Sequence, residues 1–284
     1  MAKPLLETVS MRTPAYLLGS SENHDLFVAR YVEGLLYNLD YYIQYHSQEG
    51  IDELNTVVPT HTITMNASND VGSYCGAKVV DGKLALLFNP TALGVNINNM
   101  GQSLEKTINA APQQDGTSPL PYAARHSIKT DYTAKVNELL EKARKQLENQ
   151  EFKFEPDFEV VAAKLKGGKD VRDDWENNIG SFVLEYFSSL VSYLEYEKFG
   201  SDDMLREGLA EAVPKNQVRF RIVDKLQTQQ NGYNEIVLDE DELVIQVCPY
   251  LMFIREIPLT NYQTTADKFG TNIYNSCAKI VDIL

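Results

Sequence analysis

The chain reads Phe27-Val-Ala-Arg-Tyr-Val-Glu-Gly-Leu-Leu-Tyr-Asn-Leu39 and, later, Phe182-Val-Leu-Glu-Tyr-Phe-Ser-Ser-Leu-Val-Ser-Tyr-Leu194; these two stretches decide the fold. Their apolar positions coincide at an offset of 155 residues (182 − 27). In both stretches apolar side chains recur at i, i+3 and i+4, the spacing that buries one face of a helix. The sequence therefore predicts the same long amphipathic helix twice.

The correspondence between the two halves continues beyond this helix. The further matches are Val58-Pro59 with Val213-Pro214, Leu84-Ala-Leu86 with Leu243-Val-Ile245, and Gly94-Val-Asn96 with Gly270-Thr-Asn272. Matches that keep their order over a unit of roughly 90 residues predict an internal duplication.

Each copy is predicted to be an ααβββα unit, so the fold class is α+β with antiparallel sheets and helices. The dipeptide Asp81-Gly82 predicts a tight hairpin in copy one. The matching hairpin in copy two has the acidic tip 239–242, which we expect to be solvated. Three strands with helices on one side leave a sheet face to cover, so we expect the copies to pack about a pseudo-twofold axis.

The predicted organisation has three parts. Copy one spans residues 21–110, and copy two spans 175–284 with an insertion at 250–266. Residues 111–174 are predicted to be a connector, with a polar loop, an exposed charged helix and a packing element that adds a strand and a short helix. We expect the two copies to share one core.

Composition narrows the classes of function. The chain has 284 residues and a net charge of −14, which disfavours nucleic-acid binding because that needs Lys and Arg to neutralise phosphates. Its three cysteines form no CxxC pair or disulfide framework, which favours a reducing compartment. The sequence shows neither a signal peptide nor a transmembrane span, so a cytoplasmic location is expected.

The insertion in copy two is the first candidate for a functional site, because loops carry function on a rigid frame. Cys248 stands just before it, and the segment opens with an apolar run that ends in a basic residue. The candidate ligand-binding residues are Cys248, Tyr250, Leu251, Met252, Phe253, Ile254 and Arg255. The alternative is a purely structural role, in which the apolar run is one more buried strand and Cys248 is a small buried hydrophobic residue.

The usual catalytic and metal signatures are missing from the sequence. The histidines are His24, His46, His61 and His126, and none can be placed beside Cys248 from spacing alone. His46 and Glu49 are three residues apart but lack a third ligand, so no metal site is predicted. No cofactor is predicted, and Cys248 is the only candidate catalytic residue.

Three hypotheses for the function follow. The first is a non-enzymatic binding or interaction protein, whose apolar groove near 248–268 takes an apolar small molecule, such as a lipid or acyl ligand, or a protein partner. The second is an acyl or thioester enzyme with Cys248 as nucleophile. The third is a peripheral membrane protein that inserts Tyr250–Ile254 and is S-acylated at Cys248. The oligomeric state is left open.

Overall fold

The computed structural model describes residues 8–9, 21–69, 71–72, 74–97, 101–111, 120–168, 171, 174–227 and 234–248. The chain divides into two compact units, Met1–Tyr122 and Ala123–Leu284. Both contain helices and a mixed four-stranded sheet, which confirms the α+β class.

Unit one has one long helix between its short first strand and its other three strands. Its elements are β1 (Thr8–Val9), α1 (Ser21–Val57), β2 (Thr62–Ala67), β3 (Cys75–Val80), β4 (Lys83–Phe88) and α2 (Gly101–Ala110). The backbone of α1 bends at Ser47, whose φ of 54° and ψ of −143° are not helical. The bend divides α1 into the long and the short helix that the sequence predicts for each copy.

The core of unit one lies between α1, α2 and one face of the sheet. The long segment of α1 buries residues at intervals of three and four, including Tyr31, Leu35 and Leu39. They pack with alternating residues of the strands, such as Ile63 of β2 and Leu84 of β4, which are paired neighbours in the sheet. This is the helical face that the apolar spacing predicts.

Unit two begins with helices that have no counterpart among the described residues of unit one, and the first of these helices starts at Tyr122, the last residue of unit one. Its elements are α3 (Tyr122–Ser127), α4 (Ala134–Leu147), β5 (Lys153–Glu155), α5 (Phe158–Gly167), α6 (Ile179–Tyr196), α7 (Asp203–Ala212), β6 (Gln217–Ile222), β7 (Asn234–Asp239) and β8 (Glu242–Val247). A π-helical turn, Ile128–Thr133, joins α3 to α4. The predicted strand and short helix of the connector are therefore β5 and α5. The last helix of the ααβββα unit predicted for copy two lies outside the described residues.

The two sheets have the same topology. Their strand orders are β1-β2-β4-β3 and β5-β6-β8-β7, and in each the last strand is antiparallel while the other pairs are parallel. The prediction of antiparallel sheets was wrong, because only the hairpin strands are antiparallel. A helical crossover joins the outer strand to the next one and makes that pair parallel.

The strand register agrees with the sequence matches. Ile63 pairs with Leu84 in the first sheet, and the matching residues Val218 and Leu243 pair in the second. The duplication and the pseudo-twofold arrangement of the copies stay predictions, as do the predicted domain limits and the shared core.

The acidic tip of the second hairpin is not wholly solvated, which corrects the prediction for 239–242. Glu242 is buried, and its carboxylate accepts hydrogen bonds from Arg219 Nε at 2.8 Å and from the Gln217 side-chain amide. Asp239 pairs with Arg221 Nη1 at 2.7 Å. The pairing arises because hairpin residues and the outward arginines of β6 lie on the same sheet face.

Replacing Glu242 should change stability and its dependence on pH. Burial raises the pKa of Glu242, but the hydrogen bonds from Arg219 and Gln217 outweigh burial and leave it below the ordinary 4.5. Its stabilising contribution is therefore complete above pH 4.5 and is lost as the pH falls further. Glu242→Gln should cost about 2 kcal/mol of unfolding free energy at pH 7. Glu242→Gln should also reduce the fall of unfolding free energy, measured by urea titration, as the pH drops below 4.5. Glu240→Gln at the exposed turn should change neither the unfolding free energy at pH 7 nor its dependence on pH. Equal effects of the two substitutions would contradict this role.

The start of α6 requires glycine at position 180. The Gly180 amide donates to Ser127 Oγ at 3.0 Å, and a Cβ built on Gly180 would lie 2.2 Å from the Ser127 carbonyl oxygen. Gly180→Ala should therefore lower the unfolding free energy by about 2–3 kcal/mol, since backbone rather than a flexible side chain must move. Gly72→Ala is the control, because its Cβ would meet no atom within 4 Å. If Gly180→Ala and Gly72→Ala both unfold at the wild-type midpoint temperature, the requirement for glycine at position 180 is refuted.

Candidate functional site

The sequence-predicted site is only partly described. Cys248 follows β8; its thiol is free and half-buried, and Sγ lies 3.6 Å from the backbone carbonyl oxygen of Asp224. Tyr250, Leu251, Met252, Phe253, Ile254 and Arg255 lie outside the described residues. The structure therefore locates the thiol at the end of a strand but leaves the proposed groove untested.

Polar side chains are buried near Cys248. Gln246 precedes it by two residues on β8 and so lies on the same sheet face, and Glu235 is its partner on β7. Both residues are buried, with exposures of 1% and 0%. The Glu235 carboxylate accepts a hydrogen bond from the backbone amide of Gln227, so it helps to hold the chain at Gln227. These contacts support a structural role for Glu235 at this end of the sheet.

The second described cysteine is structural. Cys75 is buried in the core of unit one, and its thiol donates to the Asn96 carbonyl oxygen at 2.7 Å. Burial raises the pKa of this thiol. Cys277 lies outside the described residues.

His46 is a buried packing residue. Its ring is 3% exposed and lies among Tyr42, Tyr45 and Tyr122, with Nε2 3.6 Å from a carboxylate oxygen of Glu105. Within the ranges that the structure describes, no group of three His, Cys, Asp or Glu side chains could hold a metal ion.

A face of α1 that the sequence analysis did not single out exposes three tyrosines. Tyr37, Tyr41 and Tyr45 are 67%, 70% and 67% exposed. A spacing of four residues places them along one ridge of the helix, with a rise of about 12 Å from first to last. We call this ridge the tyrosine face. The four-residue spacing is visible in the sequence. However, Tyr42 follows Tyr41 directly and is buried, so the presence of tyrosine alone does not show which side of the helix a ring occupies.

The helix that carries the tyrosine face is strongly acidic. Between Ser21 and Val57 it has seven Asp or Glu residues against the single Arg30, a net charge of −6, and no lysine. Its opposite side is buried in the core of unit one, while Glu33 and Asp40 are exposed close to Tyr37 and Tyr41 on the helix surface. Aromatic side chains in an acidic setting can stack on cationic groups and attract them over longer distances.

A hollow lies at the start of the tyrosine face. It has a volume of about 780 Å³ and is bounded by α1 and by the loop that follows β4. Its lining includes Arg30, Glu33, Tyr37, Gly94, Asn96 and Ile97. Arg30 Nη1 lies 3.4 Å from Glu33 Oε2, and both side chains are 65% exposed. The hollow thus combines an aromatic ring with an accessible carboxylate.

The two described thiols should react at different rates. In the folded chain, iodoacetamide should modify Cys248 well before Cys75, because Cys75 is buried and its raised pKa leaves less thiolate. Peptide mapping after timed labelling measures both rates, with Cys248→Ser as the assignment control. Labelling of Cys75 as fast as Cys248 in the absence of denaturant would contradict the described core.

Comparison with known proteins finds no matching family model, no matching curated protein and no matching solved structure. Among the helices of the described ranges, none combines the length and apolar character needed to cross a membrane.

Proposed function

We propose that this chain is a non-enzymatic interaction protein that binds an arginine-rich basic segment of another protein along the tyrosine face of α1. The observation that carries the proposal is the alignment of Tyr37, Tyr41 and Tyr45, each about two-thirds exposed, on one ridge. Single exposed aromatic residues are ordinary in soluble proteins, but three in a row on one helix form a contiguous patch.

Tyrosine suits an interaction surface for physical reasons. Its ring supplies a large contact area with few rotatable bonds, and its hydroxyl stays compatible with water before a partner arrives. Tyr45 is held by edge-to-face contact with the buried His46, at 4.7 Å between ring centroids. A ring that is already positioned loses less conformational entropy on binding.

Charge supports the choice of a basic partner over a second copy of the chain. The helix has a net charge of −6 and the whole chain −14, so two copies repel each other while a cationic segment is attracted. Arginine is favoured over lysine because its planar guanidinium stacks on aromatic faces. The same acidity argues against a nucleic-acid partner.

The earlier hypotheses for the region around Cys248 stay hypotheses. A lipid- or acyl-binding groove at 248–268 and membrane insertion of Tyr250–Ile254 depend on residues outside the described ranges. Thioester chemistry on Cys248 also stays a hypothesis, and the contact described for its thiol is with the Asp224 carbonyl oxygen at 3.6 Å. A cytoplasmic location also stays part of the proposal, supported by the scattered cysteines.

Substitution of the tyrosine face should weaken binding of a basic peptide. In fluorescence anisotropy with labelled nona-arginine, Tyr37→Ser/Tyr41→Ser/Tyr45→Ser should raise Kd at least about tenfold, because three ring contacts are lost. Tyr196→Ser is the matched control, since Tyr196 is a 66% exposed tyrosine on α6. Nona-lysine, which carries the same charge, should bind the wild-type chain more weakly than nona-arginine.

Two results would overturn the proposal. One is nona-arginine affinity that does not change in the triple variant. The other is concentration-dependent dimerisation in sedimentation that the triple variant abolishes, which would make a second copy the occupant. If the triple variant unfolds, Tyr37→Ser/Tyr41→Ser gives the same test without disturbing the ring packed on His46.

A further inference from the structure

We infer that the hollow beside Tyr37 is a guanidinium-binding subsite, which takes one arginine side chain of the partner bound along the tyrosine face. This inference rests on the proposed function and assigns it a specific anchoring point. Glu33, the tyrosine ring and the loop after β4 form the subsite.

Hydrogen bonds to the core of unit one hold the wall of the hollow that the loop after β4 forms. The Gly94 amide donates to the hydroxyl of the buried Tyr31 at 3.1 Å, and the Cys75 thiol donates to the Asn96 carbonyl oxygen at 2.7 Å. Both anchors belong to the core of unit one. The loop wall is therefore in place before a ligand arrives, which lowers the entropic cost of binding.

The lining has the chemistry that a guanidinium group needs. Glu33 and Tyr37 are four residues apart on α1, so the carboxylate and the ring lie next to each other on the helix surface. A carboxylate accepts paired hydrogen bonds from a guanidinium, and a tyrosine ring stacks on its plane. At about 780 Å³ the hollow has room for an arginine side chain and part of the peptide that carries it.

The chain already shows a guanidinium at this carboxylate. Arg30 Nη1 lies 3.4 Å from Glu33 Oε2, a long contact between two side chains that are each 65% exposed. Such an exposed pair contributes little stability, so an incoming arginine can replace it at small cost. Arg30 therefore competes with an arginine of the partner for the Glu33 carboxylate. Removing the Arg30 side chain should strengthen binding of the partner.

The test is nona-arginine affinity in variants with matched changes of charge. Glu33→Gln should raise Kd about fivefold, whereas Asp40→Asn, which removes the same charge elsewhere on α1, should raise it less than about twofold. Arg30→Ala should lower Kd about two- to threefold, and Lys83→Ala, with the same charge change on the exposed start of β4, should leave it nearly unchanged. Thermal unfolding checks that every variant is folded.

The outcomes separate the subsite from the proposed function. Equal effects of Glu33→Gln and Asp40→Asn, or weaker binding by Arg30→Ala, would overturn the subsite even if the tyrosine substitutions still weaken binding. Loss of tyrosine dependence as well would overturn both. Tighter binding in Arg30→Ala with weaker binding in Glu33→Gln supports the assignment.

Discussion

An aromatic pair, one turn apart on the long helix of each unit, packs on a phenylalanine of the sheet. In unit one the ring centroids of Phe27 and Tyr31 are 4.8 Å apart, and Phe27 lies 5.6 Å from Phe88. In unit two Phe182 and Tyr186 are 5.3 Å apart, and Phe182 lies 5.6 Å from Phe220. These contacts hold each helix against its sheet, and in α1 they fix which side faces inward for the residues before the bend at Ser47.

Once the inner side of the helix is fixed, the neighbours of each helix decide what its outer side can do. In unit two α6 is flanked by α4 and by the π-helical turn, and buried residues cover most of its circumference. In unit one α1 has α2 as its main helical neighbour within the described residues, so its outer ridge stays accessible. The same type of helix is therefore a core element in one unit and a surface element in the other.

The sequence at matching positions agrees with this difference. At the offset of 155 residues, Tyr37, Tyr41 and Tyr45 correspond to Ser192, Tyr196 and Gly200. The row of three tyrosines thus occurs in one half of the chain. A feature that is present in one half and absent at the matching positions of the other is not needed for the shared sheet topology, which is why we assign it to binding.

Much of the architecture could be predicted from residue patterns. The apolar spacing located α1 and α6, and the Asp81-Gly82 turn located the first hairpin. The parallel pairing was not foreseen, because the pattern of a strand does not show which strand lies beside it: β4 and β8, the second strands of the hairpins, lie beside β2 and β6. The burial of Glu242 was missed because its partners, Gln217 and Arg219, are brought to it by strand pairing.

The candidate site was harder to predict than the fold. The insertion present in copy two alone favoured Cys248 as the candidate site. The exposure of residues on α1 depends on which helices pack beside it, and the periodicity of the α1 sequence does not show those neighbours. A tyrosine on the same helix can equally be a core residue, as Tyr31 and Tyr42 show. The tyrosine face is recognised as a surface only when the structure shows that the opposite side of α1 is the side packed in the core.

Hydroxyl-radical footprinting of the full chain, with and without saturating nona-arginine, tests the central claim most directly. Mass spectrometry gives the oxidation rate of each tyrosine separately. The account predicts that the peptide protects Tyr37 and Tyr41 while the rate at Tyr196 stays constant. Equal protection at Tyr196, or no protection at Tyr37 and Tyr41, would show that the acidic chain attracts the peptide without using the tyrosine face.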